Sequence, residues 1–140
     1  MKHFAVASAV TVAALGATVW QLPPVFAQQV AAATRTTVER GVTIKVTPGK
    51  LADSGWEFSV VLDTHSEELK DDLEKSAVLV VDGQEVRPVQ WQGPPAGGHH
   101  REGVLRFPAP GSRPGAVELK LTRAGEAEPR VFRWEGLQSQ

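Results

Sequence analysis

Imidazole and carboxylate gather in two short runs, "LDTHSEEL" and "GPPAGGHHREG", which place Asp63, His65, His99 and His100 in polar segments beside glycine and proline. Neutral imidazole with carboxylate oxygen is the donor set of Zn(II) or Cu(II). The chain has no cysteine and its single methionine is Met1, so the soft donors that suit copper(I) are missing. Adjacent residues project in different directions, so His99 and His100 could serve one ion only with the backbone freedom that Gly97 and Gly98 supply. The spacing fits no standard zinc motif. The competing reading is a brace, in which a loop histidine bonds a neighbouring carboxylate such as Asp63 or Glu102.

A second patch lies alongside. "WQGPPAGG" offers Trp91 as an aromatic anchor next to the stiff pair Pro94 and Pro95, which would suit a protein partner. The plainer reading is that Trp91 ends a strand and covers the core. "EELKDDLEK" reads as a solvated helix face. Catalysis is not expected: no nucleophile elbow, phosphate-binding loop or dinucleotide fingerprint occurs, and Asp63, His65 and Ser66 are too close in sequence to face one another.

These residues must be positioned by strands. Val42, Ile44 and Val46 alternate with Thr43, Lys45 and Thr47, and Trp56, Phe58, Val60 and Leu62 share one face of the next segment. Residues 77–81 and 85–91 read as a third and fourth strand joined at Asp82 and Gly83, a pair favoured in tight hairpins. Pro88 cannot donate to a ladder, so the fourth is expected at an edge or bulged. "GVLRFP", "AVELKLTR" and "RVFRWE" supply the fifth to seventh. Only "SEELKDDLEKS" suggests helix, with Ser66 as a cap and Leu69 and Leu73 four apart.

Seven short strands separated by proline and glycine turns predict an all-β, immunoglobulin-like sandwich, with one short helix between strands two and three. A small closed barrel is the alternative. In either, Trp56, Phe58, Phe107, Phe132 and Trp134 are core. If consecutive strands are antiparallel, the loops after strands two, four and six share one pole. That pole then carries His65, His99, His100, Asp63, Glu126 and Glu128.

Residues 1 to 27 read as an export signal: Lys2, an apolar and small-residue run, then Val25 and Ala27 before the expected cut. If uncut, the run is about long enough to span a bilayer, roughly 18 to 20 residues. The expected divisions are a signal at 1–27, a flexible leader at 28–37, a domain at 38–136 and a loose tail at 137–140. The expected location is periplasmic or extracellular. Beyond the signal, 14 basic residues face 16 acidic ones, scattered among each other, which is not the footprint of a nucleic-acid binder.

The runs "WEFSVVLDTHSEELKDDL" and "VQWQGPPAGGHHREGVLRFP" resemble segments of small exported bacterial proteins with a single immunoglobulin-like β-sandwich domain and no assigned activity. The resemblance implies that fold and an exported location. The functional expectation is a non-catalytic binding module of the bacterial envelope, holding a divalent metal or an envelope protein partner. The alternative is a structural or interaction module whose histidines only brace loops.

Overall fold

The computed structural model describes residues 33–111 and 114–137. The expected signal, the first five residues of the expected leader and the last three residues of the tail lie outside the described residues. Among the described residues nine strands form: β1 (Arg35–Glu39), β2 (Val42–Ala52), β3 (Gly55–Thr64), β4 (Ala77–Val81), β5 (Gln84–Val86), β6 (Gln90–Gln92), β7 (His100–Phe107), β8 (Ala116–Leu121) and β9 (Arg130–Glu135). A single-turn helix, α1 (Leu73–Ser76), lies between β3 and β4. It is capped by Asp72, whose carboxylate accepts from the Lys75 amide, and not by Ser66 as the sequence suggests.

All pairings are antiparallel, in a five-stranded sheet ordered β1-β2-β3-β7-β6 and a four-stranded sheet ordered β5-β4-β8-β9. Alternation decides what goes inside. On β3 Trp56, Phe58, Val60 and Leu62 are buried while Glu57, Ser59, Val61 and Asp63 face outward. The inward residues of both sheets meet in one core, where Phe58 packs edge-on against Phe107 and tilted against Trp134. Each fully buried large apolar side chain stabilises the fold by about 1.5–3 kcal/mol.

The count of nine strands corrects the expected seven, for two physical reasons. Residues 35–37, assigned above to a leader, belong to β1, a polar strand whose only half-buried residue is Thr37. With no apolar alternation it is invisible to periodicity. Its pairing comes from a two-residue turn at Arg40 and Gly41, with φ of 48° and 78°. The expected strand at 85–91 is broken at Pro88: β5 pairs with β4 in one sheet, while β6 pairs with β7 in the other. A residue without an N–H cannot continue the ladder, and here the chain changes sheets. Leu137, expected in a loose tail, is buried in the core.

β1 and β9 are the outer strands on the same side of the molecule. Side chains bridge them in place of a ladder. Arg35 Nε donates to the Arg133 carbonyl at 3.0 Å, Arg130 Nη2 to the Glu39 carbonyl at 2.9 Å and Trp134 Nε1 to the Ala33 carbonyl at 2.7 Å.

Candidate functional site

The pole anticipated from strand parity exists. β3 ends at Thr64 and β7 begins at His100, with Asp63 opposite His100 in the register and the Thr64 amide donating to the His99 carbonyl at 2.9 Å. His65, His99 and His100 therefore stand at one end of the molecule, with Asp63 beside them.

The side chains do not converge. Nδ1 of His100 lies 2.5 Å from Oδ1 of Asp63, and its Nε2 lies 3.8 Å from Oε2 of Glu102. Those three groups share the outer face of the five-stranded sheet. His65 and His99 are exposed. Among the described residues no group of three or more His, Cys, Asp or Glu side chains is arranged to hold a metal ion. What the sequence suggests as a four-residue metal set is in the structure one hydrogen-bonded pair, Asp63 with His100.

That pair has a testable signature. The bond to Asp63 raises the His100 pKa; desolvation opposes it, and the charges of Asp63 and Glu102 add to the rise. A raised value means that the pairing contributes below the ordinary histidine range and fades as pH climbs through the folded value. Asp63→Asn is expected to lower the His100 midpoint in an NMR titration. An unchanged midpoint would show that the contact is not formed in solution.

Trp91 is held in place. Its Nε1 donates to the Pro94 carbonyl at 2.9 Å, its amide to Oε1 of Glu74 at 2.7 Å, and the Arg101 guanidinium lies over its ring at 5.6 Å. Gly103 makes room for it: a Cβ there would lie 2.4 Å from the Gln92 carbonyl and 2.7 Å from the Trp91 ring. The loop that carries Pro94 and Pro95 is tied down at its far end, where Gly97 donates to the Leu69 carbonyl and the Leu69 amide to Gly98, at 2.8 and 2.9 Å. Trp91, Pro94 and Pro95 are thus parts of a fixed corner.

Beneath these loops lies what the sequence reading missed: Arg101, Arg123 and Arg130 are all buried at this pole. Arg130 spends its Nε and Nη2 on both oxygens of Glu126, at 2.9 and 2.5 Å, and its Nη1 on the Val42 carbonyl at 2.7 Å. Arg123 reaches Asp71 through Nε and Nη2 at 3.2 Å, Glu126 through Nη1 at 3.2 Å and Glu67 through Nη2 at 3.4 Å. Glu126 therefore bridges two guanidinium groups. Bonding to Arg130, with the charges of Arg130 and Arg123, holds its carboxyl below the usual glutamate value despite burial.

Arg101 differs. It donates to backbone carbonyls, 2.6 Å to Asp71, 3.4 Å to Leu69 and 3.3 Å to Pro94, and its buried Nε has no partner among the described residues. Burial lowers its pKa, opposed only by the charges of Asp71 and Asp72. For Arg123 burial is outweighed by Asp71, Glu67 and Glu126, and the value rises.

The three arginines clamp residues 67–72, 94 and 126 onto the strand ends. Above Arg123 the surface opens into a cleft of about 460 Å³ lined by Glu67, Lys70, Asp71, Lys75, Ser76 and Thr122 among others. This volume falls within the range of small-ligand pockets, roughly 300–1,000 Å³. Among the described residues no helix is long and apolar enough to cross a membrane.

No protein-family model matches the chain, and no curated protein matches it. Among solved structures, the chain is similar to MPT63, a secreted protein from Mycobacterium tuberculosis, at 17% identity and a TM-score of 0.47, over 74% of this chain and 92% of that one.

Proposed function

We propose that this chain is an exported, non-catalytic interaction module of the bacterial envelope, built as an immunoglobulin-like sandwich and working through the cleft at its arginine-clamped pole. The sheet orders support the fold type: β2-β3-β7-β6 follows the A-B-E-D arrangement and β4-β8-β9 the C-F-G arrangement, with β1 and β5 as additions. The composition of residues 1 to 27 supports export.

One observation carries the functional reading. Two buried guanidiniums, Arg101 and Arg123, fix the segment of residues 67–72 that borders the cleft, and loops held on a rigid scaffold are where recognition concentrates. Asp71, the nearly buried carboxylate of that cleft, is committed to Arg123, which suits a platform better than acid-base chemistry. The test places a photo-reactive residue at Lys75, on the cleft rim, and another at Asp53, in the turn at the opposite pole. In the exported protein a discrete adduct is expected from position 75 and none from position 53. Adducts from neither position, or equally from both, would overturn the reading.

The metal reading of His65, His99, His100 and Asp63 makes the contrary forecast. On the interaction reading, Zn(II) or Cu(II) at about 0.1 mM leaves Tm unchanged, since only a ligand that prefers the folded form raises it. A clear rise, removed by His100→Ala, would restore the metal site.

A further inference from the structure

We propose that β1 exchanges between two copies of this chain, so that the side formed by β1, β2 and β9 is an interface for a second molecule of the same protein. This inference is independent of the cleft. It rests on three features of β1.

First, β1 contributes nothing to the core. Four of its five residues are exposed and Val38 is 68% exposed, so its release uncovers little apolar surface of its own. Second, everything that holds β1 is polar and transferable: the ladder to β2, the contact between the hydroxyls of Thr34 and Thr47 at 2.7 Å, and the bridges of Arg35, Arg130 and Trp134. Third, the turn joining it to β2 is strained. Arg40 sits at φ 48°, a left-handed conformation that costs a side chain with a Cβ and a long stem more than it costs glycine, asparagine or aspartate. The hairpin at Asp82 and Gly83 has nearly the same angles, 47° and 81°, with an aspartate that tolerates them. Short strained hinges favour exchange over closure on the same chain.

The occupant is specified by what β1 leaves behind. Arg130 Nη2 and Trp134 Nε1 require carbonyls where Glu39 and Ala33 supply them, and the Arg133 carbonyl requires the donor that Arg35 provides. The β1 of a second copy meets all three demands in the same register. In the exchanged pair residues 40 and 41 become extended, the strain at Arg40 is relieved, and every contact of β1 is made to the partner.

The absence of cysteine makes the test clean. A Thr34→Cys variant is mixed with a Thr47→Cys variant at high concentration, then diluted and treated with a short bis-maleimide. Exchange brings residue 34 of one copy beside residue 47 of the other. The expected result is a cross-linked heterodimer whose yield rises with the mixing concentration. A pair of Thr34→Cys, just before β1, and Gln90→Cys, on β6 at the opposite edge of the sheet, serves as background. Arg40→Pro, which cannot adopt a positive φ, is expected to raise the yield about tenfold, and Arg40→Asn to lower it by about as much. A 34–47 yield no greater than the 34–90 background overturns the proposal. So does a yield that Arg40→Asn leaves unchanged, which decides the matter even if Arg40→Pro does not fold.

Discussion

Arg130→Met is expected to destabilise the domain by about 3–5 kcal/mol, the usual cost of removing one partner from a buried ion pair. The variant leaves Glu126, whose side chain is 5% exposed, with Arg123 as its one remaining guanidinium, and takes from the Val42 and Glu39 carbonyls the donors that Arg130 supplies. A small domain is stable by only about 5–15 kcal/mol, so much of the margin would go. Urea unfolding followed by tryptophan fluorescence measures it, and a loss below about 1 kcal/mol would contradict the geometry. Adding Glu126→Gln should restore part of the loss, because a buried carboxylate that has lost its shorter partner is then removed while Arg123 keeps Asp71 and Glu67. The same pair sets an acid limit. The folded pKa of Glu126 is depressed, so its contribution is complete above the unfolded value of about 4.3 and disappears as pH falls through the lower folded one. In Arg130→Met this part of the acid sensitivity should be reduced.

Phe58→Ala is expected to cost about as much, roughly 3–5 kcal/mol, for an unrelated reason. Phe58 is fully buried on β3 and touches Phe107 of its own sheet and Trp134 of the facing one, with ring centroids 5.8 and 5.6 Å away. Truncation removes transfer free energy and leaves a cavity between sheets that cannot both collapse onto it. Loss of near-ultraviolet circular dichroism from Trp134 should accompany the lower urea midpoint. A variant with wild-type midpoint would mean that Phe58 does not join the two sheets.

Alternation made β2, β3, β4, β8 and β9 legible because each buries one face. It failed at β1, where polar residues pair through backbone and a left-handed turn. The common pole of His65, His99 and His100 followed from parity, but their divergence followed from the same rule. His99 precedes His100 directly, so the two project differently, whereas His100 and Glu102 are two apart and share the face of Asp63. The arginines were within reach as well. Arg101 continues the inward series of Leu105 and Phe107, Arg123 that of Leu119 and Leu121, and Arg130 that of Phe132 and Trp134. Their charge sets them outside a search for apolar alternation, although an arginine at the inward end of an apolar series is where a buried clamp should be sought.

The crossing at Pro88 bears on how the protein survives in company. β5 and β6, the outermost strands on that side, have three residues each, so a neighbouring chain finds only a stub on which to grow a continuous sheet. Such truncated margins guard against fibrillar aggregation, a safeguard that matters for a protein with no disulfide to lock its shape.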